Sequence, residues 1–441
     1  MQTVRSTNSW WLLGMVCLVL GGPGTASGQN VAFITSVTGG ADLGDAAAWP
    51  DNDGLTGAAA ADAVCRNRAQ AAGLANPDRF RAWISDSTND AYCRVFGLTA
   101  GGEVSSNCGE ASLPTGAGPW VRTDGYPFLP TIENAIGMTG VVYAPVLTEF
   151  GVELLHASVS SHAFTGSTVT GEERGYTCSD WSSLSGNVDL GVPAVGTTGF
   201  WGSLSVGNCV TIRALLCLEV GSGAALPQWT IPGRLAFMTS AKGPGKLDQW
   251  PVTGIGGAIG IDAGDAICRS LAGAAGLPYP QTFKAWLSTD TINAVDRFTI
   301  DGPWRRVDGV PFADSIADLV SGRPFTSLGV TEFGGYSHER VFTGTLADGT
   351  AHPDTCSNWD SASGFGIFGF SSAAWSWWTE TNETACSVHQ SIYCLQDSTQ
   401  HVIFWDSFED GTLEAWSAVA TGPVGERREA RVWNAIDHST R

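Results

Sequence analysis

TACSVHQSIYCLQ, Thr384 to Gln396, sets an alternating run that ends in apolar residues between two cysteines, and the chain contains this pattern twice. The earlier version is GNCVTIRALLCLEV, Gly207 to Val220; in both, the cysteines stand eight positions apart, Cys209 with Cys217 and Cys386 with Cys394. Upstream of each lies a cysteine in a shared setting, Cys178 in TCSDW and Cys356 in TCSNW. Further upstream lies another, Cys65 in ADAVCRNRAQAAGL and Cys268 in GDAICRSLAGAAGL. Each closing segment therefore reads as a central strand to which two upstream pieces of its own copy are bolted.

The rest of each copy follows the same order. VAFITS from Val31 and LAFMTS from Leu235 read as paired first strands. Alanine-rich helices follow, Ala58 to Ala72 and Ala263 to Ala275, each carrying a cysteine and stopped by Gly73 or Gly276. In RFRAWISD and TFKAWLST, Trp83 and Trp286 sit between apolar neighbours in strand-like runs, which makes them core residues. GPWVRTDGYPF from Gly118 and GPWRRVDGVPF from Gly302 precede second helices, Pro130 to Ile136 and Ala313 to Val320. TEFG at Thr148 and Thr331 and FTG at Phe164 and Phe342 complete the correspondence.

The separation of matched residues falls from 203 (Cys65 to Cys268) to 184 (Trp120 to Trp304) and then to 177 (Cys217 to Cys394). Most of the extra length of copy one, 203 minus 184 or 19 residues, therefore lies between the Ala-Trp strand and the GPW segment. The two unmatched cysteines, Cys93 and Cys108, fall in that interval and read as an excursion stapled to itself.

Composition narrows the function. Of 441 residues only 15% are charged, with 56 Gly and 18 Trp, which suits short strands and long turns. The net charge of −20, with Lys242, Lys246 and Lys284 as the only lysines, leaves nothing to replace the counterions of nucleic acid or anionic lipid. Met1 to Gly28 reads as a secretory signal, with Arg5, an apolar core from Trp10 to Leu20, and small residues before Gln29; the apolar run is too short to span a bilayer. Its removal takes Cys17 and leaves ten cysteines, an even number that predicts disulfides in a secreted, extracellular or periplasmic protein. Residues 29–220 and 234–397 are the expected domains, joined by the Gly- and Pro-rich linker 221–233 and followed by a tail, 398–441, too small for its own core.

The alanine-rich helix with its cysteine, the TFKAW strand, FTG, TCSNW and the cysteine pair eight apart resemble the C-type-lectin-like fold. More narrowly they resemble its endostatin-type branch and that branch's bacterial secreted relatives of unknown function. The resemblance implies an α+β chain of two tandem domains, each a small mixed sheet with two helices. It also implies nested bridges Cys65–Cys217 and Cys178–Cys209, then Cys268–Cys394 and Cys356–Cys386; four cysteines alone allow three connectivities, and the sequence does not choose. Sugar-binding members of the wider fold hold calcium through Glu-Pro-Asn or Gln-Pro-Asp and Trp-Asn-Asp. This chain offers only NPD at Asn76 and HPD at His352, read as lying outside the relevant loop, and CSDW and CSNW in place of Trp-Asn-Asp. No zinc site of the endostatin kind is expected either, because neither copy has histidines near its start.

Catalytic motifs are missing: no G-x-S-x-G, H-E-x-x-H or Walker pattern occurs, and Gly254, Gly256, Gly257 and Gly260 read as a loop. The histidines do not recur between copies, so no catalytic residue, cofactor or metal is expected. Glu149 and Glu332 recur in TEFG and read as structural hydrogen-bonding groups. PDNDG, Pro50 to Gly54, lacks EF-hand spacing and reads as a turn. The ligand-facing candidates are Trp375 and Trp377 in SSAAWSWWTETNETAC, two apart and so on one face if extended, with Trp378 pointing into the core. Phe200 and Trp201 stand in the corresponding stretch of copy one. The expected function is non-enzymatic binding of an extracellular glycan or protein, with surface assembly against partner chains as the alternative.

Overall fold

The closing segments become the central strands. The computed structural model describes residues 28–98, 102–137, 141–154, 162–193, 205–226, 233–322 and 324–398. The expected signal segment up to Ser27, the middle of the linker, Phe200, Trp201 and nearly all of the tail lie outside the described residues. Copy one contributes β1 (Asn30–Ile34), β2 (Phe80–Ala82), β3 (Trp120–Arg122), β4 (Pro127–Leu129), β5 (Ala163–Phe164), β6 (Asn187–Gly191), β7 (Ser205–Asn208) and β8 (Ala214–Glu219). Copy two repeats them as β9 (Arg234–Met238), β10 (Phe283–Ala285), β11 (Trp304–Arg306), β12 (Pro311–Ala313), β13 (Arg340–Phe342), β14 (Phe365–Phe370), β15 (Asn382–Ala385) and β16 (Ser391–Gln396).

Each copy forms one eight-stranded mixed sheet, in the order β4-β3-β1-β8-β5-β6-β7 and β12-β11-β9-β16-β13-β14-β15. β8 pairs antiparallel with β1 on one edge. Its other edge is shared by β5, parallel at Ala214–Leu215, and β2, antiparallel at Cys217–Glu219. A strand covered on all sides must be apolar or fully satisfied. ALLCLE in β8 is buried throughout, and its Glu219 accepts from Val31 N and Asn76 Nδ2. In β16 the same position is Gln396, which accepts from Leu235 N and donates to Pro278 O.

Two helices flank each sheet, α1 (Gly57–Ala71) and α2 (Ile132–Ile136) in copy one, α3 (Gly260–Ala274) and α4 (Ile316–Val320) in copy two. α1 lays Ala60, Ala61, Val64, Cys65 and Ala69 on the sheet, and Gly73 (φ +70°) and Gly276 (φ +67°) follow α1 and α3 in the left-handed region that glycine tolerates. The second helices begin two or three residues later than the sequence pattern predicts, because Thr131 and Ser315 act as N-caps, accepting from Asn134 N and Asp318 N. Trp83 and Trp286 are buried, each one residue beyond a strand shorter than its apolar run.

Five disulfides join Cys65 to Cys217, Cys178 to Cys209, Cys93 to Cys108, Cys268 to Cys394 and Cys356 to Cys386. Two are nested in each copy, and the fifth closes the insertion of copy one. The Cys65–Cys217 bridge spans 152 residues, a loop for which chain entropy contributes about 4 to 5 kcal/mol. The TCSxW segments hold an unforeseen feature. Cys178–Trp181 and Cys356–Trp359 each pass through four consecutive residues with φ between +52° and +67°, a left-handed turn of L-residues. Such a turn costs roughly 1 to 2 kcal/mol per residue and persists only when its surroundings fix it. Here the disulfide holds one end and a buried indole the other, Trp181 Nε1 donating to Ser85 O at 2.8 Å and Trp359 Nε1 to Ser288 O at 2.6 Å.

The two copies pack into one compact unit. Val142 and Tyr143 of copy one meet Val310 of copy two, and Val146 and Val192 join the core of copy two. Thr326 Oγ1 donates to Val142 O across the junction, while Arg306 Nη1 donates to Thr326 Oγ1 and Ser327 O. Tyr143 and Thr326 are matched residues, five positions before Glu149-Phe150-like TEFG threonines Thr148 and Thr331, so equivalent segments of the two copies face one another.

Candidate functional site

The junction leaves a cleft of about 490 Å³. One wall comes from copy one, with Arg122 on β3, Tyr126 at the tip of the β3–β4 hairpin, and Tyr143. The other comes from copy two, with Asp314 and Asp318 at the start of α4 and Phe325 just after it. The β3–β4 hairpin is set by Asp124, whose carboxylate pairs with Arg122 and accepts from Tyr126 N at 3.1 Å. Arg122 also donates to Ala144 O and lies over both tyrosine rings, 5.8 Å from Tyr126 and 5.3 Å from Tyr143. The tyrosines meet edge to face at 5.0 Å.

Tyr126 and Phe325 are each 37% exposed, so both leave part of a ring open to the cleft. Tyr143 is the buried floor of this aromatic group; its hydroxyl makes no hydrogen bond, and burial pushes its pKa well up. Asp318 is committed to the cap of α4, accepting from Ser315 N and Asp314 N. Asp314 is exposed, and its carboxylate accepts no hydrogen bond among the described residues; burial, then the Asp318 charge, raises its pKa. Ring faces beside a guanidinium and an open carboxylate can stack on an apolar face and hydrogen-bond hydroxyls. Among the lining residues no nucleophile stands beside a base.

Of the ligand-facing residues expected from the sequence, Trp375 and Trp377 do not share an extended face. The chain there forms a 3-10 turn, Ser376–Trp378, which buries one ring beneath the other. Trp375 is 8% exposed and belongs to the core of copy two, whereas Trp377 is 42% exposed and rests its ring on Trp375 at 5.2 Å. Trp378 is fully buried against Trp286, Phe312 and Tyr393. Ala374 lines the cleft, and Ser376 packs on Gly322 beside the lining residue Ser321, so the turn that exposes Trp377 continues the copy-two wall. Phe200 and Trp201 fall outside the described residues.

Glu149 accepts from Ser36 N at 2.9 Å, Ser36 Oγ at 2.5 Å and Arg68 Nε at 2.6 Å. Glu332 accepts from Ser240 N at 2.9 Å and from Ser240 Oγ, so both TEFG acids tie a turn to the first strand. In PDNDG, Asp51 pairs with Arg68 and Asp53 accepts from Asn67, as in a braced turn. HPD lies closer to other ligand atoms than its sequence indicates. His352, Asp354 and Glu383 bring one donor atom each within 4.8 Å of one another, while Arg174, Tyr176 and Val206 hold those places in copy one. The cleft has no sequence signal, since it unites residues from separate segments; of the triad, the HPD motif supplies His352 and Asp354, and Glu383 comes from β15.

No protein-family model matches the chain, and no curated protein is similar to it, so its function is argued from its own residues.

Proposed function

We propose that this chain is a secreted, non-enzymatic binding protein, built from two domains of the C-type-lectin-like kind, that takes an extracellular glycan in the cleft between its copies. The carrying observation is the composition of that cleft: two partly exposed rings, Tyr126 and Phe325, face a shared space with Arg122 and the open carboxylate of Asp314. A sugar ring has an apolar face that stacks on aromatic side chains and a rim of hydroxyls that bond carboxylate and guanidinium groups. The volume, about 490 Å³, suits one or two sugar units. Five disulfides fit an oxidising compartment, and no helix among the described residues is long and apolar enough to cross a membrane. Surface assembly against partner chains is the competing reading. A glycan array probed with the intact protein tests the proposal: saturable signal on a defined set of glycans, lost in Tyr126→Ala, supports it, and uniform background across the array refutes it.

A further inference from the structure

A second pocket, of about 420 Å³, lies on copy one at the start of α1. Its lining brings together three guanidinium groups, Arg66 from α1, Arg81 from β2 and Arg94 from the insertion, with Asp62 from α1 and Asp86 at the rim. Asp62 is fully committed: Oδ1 accepts from Ala82 N at 3.0 Å and from Arg94 Nη2 at 2.5 Å, and Oδ2 stands 3.5 Å from Arg81 Nε. Asp86 uses Oδ1 on its own turn, accepting from Thr88 and Asn89, so the lining holds three guanidinium groups against two carboxylates. Arg66 has no hydrogen-bond or ion-pair partner among the described residues, yet it lies close enough to act on Arg81, as Arg94 does from the other side. Arg94 is nine-tenths buried or more, and only 19% of the Arg81 side chain is exposed. Positive charge is thus gathered in a pocket of a chain whose net charge is −20.

Copy two shows how the same position is neutralised. Arg81 corresponds to Lys284, whose Nζ is 2.6 Å from Asp397 Oδ2, and Arg94 corresponds to Arg297, which meets both oxygens of Asp265 at 2.7 and 2.8 Å. The residue of copy one that matches Asp397, 177 positions earlier, is Val220. Copy one therefore sets both cations on the one carboxylate of Asp62 and has no acid at position 220. Like charges held together at partial burial are costly unless an anion joins them, and guanidinium forks match the oxygens of carboxylates, sulfates and phosphates.

We propose that the Arg66–Arg81–Arg94 pocket is an oxyanion site, in which an acidic group of an extracellular ligand pairs with Arg66, the lining cation without a partner among the described residues. Arg66 and Arg81 bind the incoming oxygens, and Arg94, held by Asp62, supplies field without moving. The site is separate from the cleft between the copies, and each stands or falls alone.

Calorimetric titration of the intact protein at low ionic strength, with inorganic phosphate, sulfate and malonate in turn, tests this. The expected result is one saturable site per chain. Tighter binding of phosphate or sulfate assigns a tetrahedral ester as the natural group, and tighter binding of malonate assigns a carboxylate. Arg66→Ala, which removes a side chain without partners, should weaken binding about tenfold or more at unchanged thermal midpoint. Arg269→Ala, at the matching helix position of copy two, should leave it unchanged. Absence of saturable binding for all three anions overturns the proposal, as does binding that Arg66→Ala leaves unchanged.

Discussion

Asp189 gives the most quantitative prediction. It lies inside β6 with its side chain fully shielded, 3.2 Å from Arg174 Nη2, and neither carboxylate oxygen accepts a hydrogen bond. The matching residue of copy two is Ile367, whose carbonyl accepts from Thr343 N and Gly344 N as that of Asp189 does from Thr165 N and Gly166 N. Burial, opposed by Arg174, raises the Asp189 pKa from 3.8 to about 6. At about 1.4 kcal/mol per pH unit, a shift of roughly two units places the ionised side chain about 3 kcal/mol above a neutral one in the fold. This is an upper figure, because the group lies beneath the surface layer beside the partly exposed Arg174.

The folded state binds this proton more tightly than the unfolded chain, so the contribution to stability is greatest below about pH 4, falls as pH rises, and is lost above about pH 6. Asp189→Asn should therefore match wild type near pH 4 and exceed it by roughly 2 to 3 kcal/mol near pH 7.5, and Asp189→Ile should behave alike at the higher pH. Urea unfolding followed by tryptophan fluorescence at both pH values measures the difference. A variant less stable than wild type at the higher pH would show that the Arg174 pair outweighs the desolvation of Asp189, and the reasoning would fail.

Other outcomes follow from burial and pairing. Trp375→Ala should cost about 3 to 5 kcal/mol in thermal or urea unfolding, whereas Trp377→Ala should change stability by no more than about 0.5 kcal/mol; equal losses would contradict the 3-10 turn. Glu149→Ala takes from Arg68 its buried partner, leaving it Asp51 and Ser36, and should cost about 3 kcal/mol; a neutral result in denaturant unfolding would mean the turn is held elsewhere. Replacing Cys93 and Cys108 together by Ser opens a bridge spanning 15 residues and should cost about 2 to 3 kcal/mol without altering the other four disulfides in a non-reduced peptide map. A map showing any bridge between the two copies would contradict the fold.

Much of the framework was legible because it rests on local signals that occur twice. Helix limits came from alanine-rich runs closed by Gly73 and Gly276, and the insertion from two cysteines without counterparts. TCSxW was legible as a motif but not as a left-handed turn, since nothing in Cys-Ser-Asp-Trp favours positive φ; the disulfide and the buried indole impose it. Trp375 and Trp377 do not form one exposed face because the segment turns instead of extending: the rings touch, but Trp375 packs into the core beneath Trp377. The cleft was not legible at all. Tyr126 and Phe325 have ordinary surroundings in sequence, and only the packing of one copy on the other brings them together. The arginine pocket shows a third case, visible only when α1, β2 and the insertion bring Arg66, Arg81 and Arg94 together.

The central claim is that both copies build one ligand cleft. Isothermal titration of the best glycan from the array should be run against wild type, Tyr126→Ala from the copy-one wall and Phe325→Ala from the copy-two wall. The account predicts that each substitution alone weakens binding about tenfold or more, the loss expected when a stacking ring is removed, while thermal midpoints stay close to wild type. Unchanged affinity in either variant would place the ligand on one copy alone and contradict the account.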